Sequence, residues 1–191
     1  MNAVTIFFLR AKSWQIFALV IGLCVSGQIL AAMSLIRSIE SPDELLKVPL
    51  GFGIVNVLMM CCLLGWYWSI GTFLSSRVPS ALRLKSGFFR FALVYPAIYL
   101  LFFMWAFKSL TLHAVLFLLI FSLHLLAMFC LFYLLYFVSK SLVLAETCKP
   151  ASFNDYAGPF FLIWFFPIGI WFIQPRINRQ YMESLCASRM P

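Results

Sequence analysis

Gly158-Pro159-Phe160-Phe161-Leu162-Ile163-Trp164-Phe165-Phe166-Pro167-Ile168-Gly169-Ile170-Trp171-Phe172-Ile173 is the last apolar run of this chain, and Gln174-Pro175-Arg176-Ile177-Asn178-Arg179 closes it. Whether this run crosses a membrane or turns back within one fixes the number of spans and the side on which the basic tail lies. Its strictly apolar part, from Phe160 to Ile173, is about 14 residues, a length typical of re-entrant or interfacial segments. Pro167 and Gly169 interrupt it near the middle, where a straight helix would lose a backbone hydrogen bond. Extended back to Tyr156 it reaches about 18 residues, the minimum for a span. The expected element is a Pro-kinked re-entrant or interfacial helix over 158–173, with a fifth span as the alternative.

Charge placement favours the first. If the run crosses, the cytoplasmic side holds Arg10, Lys12, Arg77, Arg83, Lys85, Arg90, Lys140 and Lys149. If it turns back, Arg176, Arg179 and Arg189 join them, leaving only Arg37, Lys47 and Lys108 outside. Lys and Arg collect in cytoplasmic loops, so four crossings with both termini cytoplasmic are expected.

Composition forces the membrane reading. The 191 residues are 64% hydrophobic and 10% charged, with a mean hydropathy of +1.00, whereas a soluble domain carries about 25% charged residues. So little charge cannot clothe a water-facing surface, and the whole chain reads as one all-α transmembrane domain. The net charge of +8 reflects the same loop bias, so no direct nucleic-acid partner is expected.

The spans fall at about 14–36, 51–74, 91–107 and 112–138. Met1 to Ser13 reads as a short cytoplasmic segment lying on the headgroups, and Trp14 as an aromatic-belt residue. The apolar stretch after Arg10 and Lys12 is too long for a signal core and lacks an Ala-x-Ala site, so the first span is expected to be retained. Gly22 with Ser26, and Gly27 with Ala31, have the four-residue spacing of close helix packing. Ser41-Pro42-Asp43-Glu44 has a capping-box pattern and should start a short outer helix that stops before Pro49. Trp66, Tyr67 and Trp68 should lie near the inner end of the second span, and Tyr95-Pro96 near the entrance of the third. Lys140 to Asp155 reads as a polar connection, with Asn154 or Asp155 capping the last apolar element.

Three polar residues fall inside spans: Gln28, expected to face another helix, Asn56, and His124 near the middle of the fourth. An ionisable side chain at that depth is a site candidate. With no intramembrane Asp or Glu for a proton relay, a neutral imidazole bonded to a neighbouring helix is the better reading. The cysteines, Cys24, Cys61, Cys62, Cys130, Cys148 and Cys186, show no Cys-x-x-Cys with a His pair, and neither metal, cofactor nor disulfide is expected.

No nucleophile–base set, paired carboxylates, His-Glu-x-x-His, Gly-x-Ser-x-Gly or phosphate loop occurs in the chain. A non-enzymatic role is expected, and two classes remain. One is a sensor or scaffold that forms a homo-oligomer and presents a basic inner surface to anionic headgroups or to a soluble cytoplasmic effector. The candidate surface residues are Arg77, Arg83, Lys85, Arg90, Lys140, Lys149, Gln174, Arg176, Asn178 and Arg179. The other is an oligomeric ion channel lined by Gln28, Asn56 and His124.

The stretch Trp164-Phe-Phe-Pro-Ile-Gly-Ile-Trp-Phe-Ile-Gln-Pro-Arg-Ile-Asn-Arg179, with the chain length and four-span layout, resembles the KwaA family. These are the small membrane subunits of the bacterial Kiwa anti-phage defence system. The specific part covers only 164–179, and no site residue carries over with it. The resemblance implies a homo-oligomer in the bacterial inner membrane that detects infection at the envelope. It also implies a soluble, DNA-binding cytoplasmic partner, KwaB, that carries out the effector step.

Overall fold

The computed structural model describes residues 2–40, 48–108 and 114–187, and among them the chain forms helices and no strand. The expected outer capping box, the acids Asp43 and Glu44, the turn between the third and fourth spans, His113 and Arg189 lie outside these residues. The helices are α1 (Ala3–Arg10), α2 (Ser13–Glu40), α3 (Val48–Arg77), α4 (Ser86–Lys108), α5 (Ala114–Thr147), α6 (Phe153–Trp164) and α7 (Phe166–Ala187), with a 3-10 turn at Ser80–Leu82. Four of them, α2 to α5, are long and apolar enough to cross a membrane. The protein is an all-α four-span bundle with a broken apolar element at its carboxyl end.

The four long helices run alternately up and down. A methyl group added at Gly27 of α2 would lie 3.0 Å from Val55 of α3, whereas Gly65, ten residues further along α3, meets Phe8 of α1. Phe89 fills the space beside Gly71 while Met104 fills that beside Gly53, so α4 descends as α3 rises. Tyr99 of α4 meets His124 of α5 and Phe88 meets Tyr133, which makes that pair antiparallel too. The most interior span is α3, with 44% of its most apolar 18-residue stretch buried against 17% for that of α2. It packs against α1, α2, α4 and α5.

Burial is uneven along the bundle. Trp66, Ile70 and Leu74 of α3, Phe89 of α4, and Leu134, Phe137 and Leu142 of α5 are almost wholly enclosed. All lie toward the end where α3 stops and α4 starts. Small residues explain the tight half: Gly71 admits the Phe89 ring, which stacks on Phe137 with centroids 4.2 Å apart. In lipid, such close approach takes the place of a hydrophobic drive between helices. Toward the opposite end a cavity of about 440 Å³ opens between α4 and α5, with Met60 of α3 on its wall.

Several boundaries differ from the sequence expectation. The fourth span does not give way to a polar connection at Lys140: α5 continues to Thr147, with Ser139, Ser141, Leu142, Val143 and Leu144 buried. It stops where Cys148 adopts φ 51° and donates its N–H to Leu144 (3.0 Å), two residues before Pro150. The third span starts at Ser86, so Pro96 lies inside α4. The cap of α6 is Ser152; Asp155 is its capping-box partner and not the cap. The Ser152 hydroxyl (2.8 Å) and backbone N–H (2.7 Å) both donate to the Asp155 carboxylate, and these bonds hold its pKa below the ordinary value. Trp66 and Tyr67 are core residues, and only Trp68 is exposed as a belt residue would be.

The break in the last apolar run falls at Phe165. Its N–H closes α6 on Phe161 (2.8 Å), and its carbonyl accepts the N–H groups of Ile168 and Gly169 to open α7. Pro167 stands in the first turn of α7, where a missing N–H costs no helix bond. Gly169 makes the corner possible: a Cβ there would come within 1.5 Å of the Leu162 carbonyl oxygen. Seven residues of straight helix would hold those positions about 10 Å apart, so the chain folds sharply back. Phe132 of α5 touches Trp164 near the tip, whereas Tyr181 of α7 touches Phe73 of α3. The element therefore enters and leaves at one end of the bundle, as the turned-back reading expects.

Candidate functional site

That shared end collects Arg10, Lys12, Arg77, Arg83, Lys85, Arg90, Lys140, Lys149, Arg176 and Arg179 against the acids Glu146, Asp155 and Glu183. The surface they form is braced by one buried amide. Gln174 is fully buried on α7, and its Oε1 accepts the indole N–H of Trp66 at 3.0 Å. Its Nε2 lies 2.8 Å from the Phe8 carbonyl, 3.0 Å from that of Ala11 and 2.9 Å from Asn178 Oδ1. Asn178 Nδ2 donates to the same Ala11 carbonyl at 3.1 Å. Helix α1 ends at Ala11 with carbonyls that have no helical partner, and these two amides supply one. The clamp thus ties α1, α3 and α7 together.

Gln174 and Asn178 are therefore not surface contacts for a headgroup or partner, as the sequence suggested. One is wholly enclosed and the other half-buried, and both are committed within the fold. Arg176 is largely committed too. Its Nε donates to Glu146 Oε1 at 2.9 Å and its Nη2 to Oε2, a two-pronged pair between α7 and α5. Arg179 reaches the same carboxylate at 4.0 Å but keeps 66% of its side chain exposed.

The remaining cations divide by what they touch. Arg83 Nη2 donates to the Val78 carbonyl just beyond α3 (3.3 Å) and remains exposed. Lys140 is half-buried on α5; its Nζ meets the Tyr136 hydroxyl at 3.2 Å and stands over the rings of Tyr136 and Tyr156 at 5.4 and 5.7 Å. Arg77, Lys85, Arg90 and Lys149 are exposed. A hollow of about 210 Å³ lies between α3 and α4 beneath Arg83 and Arg90.

The intramembrane candidates are not brought together. Gln28 is exposed and does not face another helix of this chain, and Asn56 is half-buried on α3. His124 Nδ1 lies 3.2 Å from the Tyr99 hydroxyl across α4 and α5, at the wall of the cavity between those two helices. That is the expected imidazole bonded to a neighbouring helix. Among the described residues no three His, Cys, Asp or Glu side chains gather as metal ligands would.

Sequence reading missed Trp66, Glu146 and Tyr99, the partners that give Gln174, Arg176 and His124 their geometry. Each lies on another helix, at separations of 108, 30 and 25 residues, and no local spacing reports it. No family model, curated protein or solved structure matches this chain.

Proposed function

We propose that this protein is a non-catalytic membrane sensor or scaffold subunit that self-associates and recruits a soluble cytoplasmic effector to its basic end. The observation that carries this reading is the set of cations (Arg77, Lys85, Arg90 and Lys149, with Arg179 partly so) that are exposed and have no acidic partner among the described residues, at the end of the bundle where Gln174 clamps α1, α3 and α7 together. A rigid field of one sign steers and orients an acidic partner. The excess of Lys and Arg at that end, where α1 begins and α7 ends, supports a cytoplasmic placement with both termini inside. Self-association is supported by α2, which buries little of its surface in the chain and exposes Gly22, Ser26 and Gln28. The resemblance of 164–179 to the KwaA family supports a more specific reading. In it, the chain is the inner-membrane subunit of a bacterial anti-phage defence complex and the effector is a KwaB-type protein.

The test is co-purification from the native membrane with the product of the adjacent gene. The pair Lys85→Glu/Arg90→Glu is expected to weaken recovery of that partner at least about tenfold, while Arg37→Glu, at the opposite end, leaves it intact. Equal recovery from both variants would overturn the proposal. A second reading, an oligomeric channel, rests on Gln28, a polar side chain left open to the membrane on α2. Ion flux from reconstituted protein, reduced by Gln28→Leu, would favour it; vesicles no leakier than empty ones would remove it.

A further inference from the structure

A cleft of about 460 Å³ separates α1 from the last turns of α7. Leu9, Arg10 and Lys12 form one wall, and Tyr181 and Met182 face them. Both cations are exposed, and among the described residues neither has an acidic partner. The nearby acids are engaged or turned elsewhere: Glu146 takes Arg176 and Arg179, and Asp155 takes Ser152. Glu183 is not among the lining residues. Arg10 suits the last turn of α1, where a cation complements the negative helix end. Lys12 has no such explanation. It stands before the first residue of α2, whose first turn carries no acid, so the positive end of that helix adds to the two side-chain charges.

Depth says what would bring an anion there. Trp14 is 55% exposed, and Val4 and Phe7 of α1 are exposed on its outer face, the pattern of residues at headgroup level. An anion at that level, over apolar Leu9 and Met182, meets the chemistry of a phosphodiester with its glycerol below. We propose that this cleft binds a phosphate group, and that the phosphate belongs to an anionic phospholipid. The inference does not depend on the effector-recruiting role, which uses other cations.

The test is thermal unfolding of the full chain in detergent with short-chain phosphatidylglycerol, with phosphatidylcholine of equal chain length, and with inorganic phosphate. Phosphatidylglycerol is expected to raise Tm saturably, phosphatidylcholine not to. Arg10→Gln/Lys12→Gln should weaken the apparent affinity roughly tenfold or more. Arg10→Lys/Lys12→Arg should keep it, as should Lys85→Gln/Lys149→Gln, which removes equal charge elsewhere. Met182→Glu, which keeps both cations but puts a carboxylate on the wall that faces them, should abolish the shift. If inorganic phosphate alone gives the same Arg10- and Lys12-dependent shift, the cleft takes a soluble phosphate and the lipid assignment falls. An undiminished phosphatidylglycerol shift in Arg10→Gln/Lys12→Gln, or an equal loss in Lys85→Gln/Lys149→Gln, overturns the proposal altogether.

Discussion

At the scale of single residues, Gln174 and Gly169 matter most, for opposite reasons. Gln174 is required for what its side chain does. Gln174→Ala leaves the Trp66 indole N–H and the carbonyls at the end of α1 short of partners. A buried group left unpaired costs about 1–3 kcal/mol, so the variant should lose about 3 kcal/mol, read as a fall in unfolding temperature with α1 becoming protease-sensitive. Gly169 is required for what it lacks. Gly169→Ala drives a methyl group into the Leu162 carbonyl and should open the α6–α7 corner, with a marked fall in folded yield. Gly158→Ala is the control: nothing stands within 4 Å of a Cβ there, and the change should stabilise α6 by roughly 0.5–1 kcal/mol. The role of Gln174 was not legible beforehand, and that of Gly169 only as a break in the run. An amide followed by Pro175 and Arg176 reads as surface, and only the fold brings Phe8 and Ala11 to it from the other end of the chain. Pro167 and Gly169 did mark a break, but the chain turns two residues before Pro167, because a proline in a first turn fits a helix and does not bend it.

At the scale of elements, hydropathy located the four spans and misplaced their ends, since it reports depth in lipid and not where backbone hydrogen bonds stop. Helix α5 shows why. Lys140 looked like a terminus, yet its long stem runs along the helix and its charge rests on Tyr136 and Tyr156. What ends α5 is Cys148, a non-glycine residue held at φ 51°. L-residues pay about 1–2 kcal/mol in that conformation, so Cys148→Gly should raise stability by up to about 1 kcal/mol. Equilibrium unfolding in mixed micelles measures it. The corner at Phe165 and the clamp on α1 are long-range consequences of packing, and periodicity carries no trace of them.

At the scale of the whole molecule, the turned-back carboxyl element has a direct test in two native cysteines. Cys148, between α5 and α6, and Cys186, near the end of α7, are both exposed and lie at the same end of the bundle. In variants that keep one cysteine each, a membrane-impermeant maleimide should label both from the same face of sealed vesicles. Labelling from opposite faces would mean that 158–173 crosses.

The same element makes the bundle taper. Among the described residues, one half of its height holds α1, α6 and α7 in addition to the four long helices, while the other holds the four long helices and a cavity between α4 and α5. Such a shape displaces more lipid from one leaflet than from the other. Bending the bilayer toward the narrow side, or thinning the crowded leaflet, changes how well the protein fits. A copy of this chain is therefore coupled to local curvature and lateral stress by its outline alone, before any ligand or partner touches it.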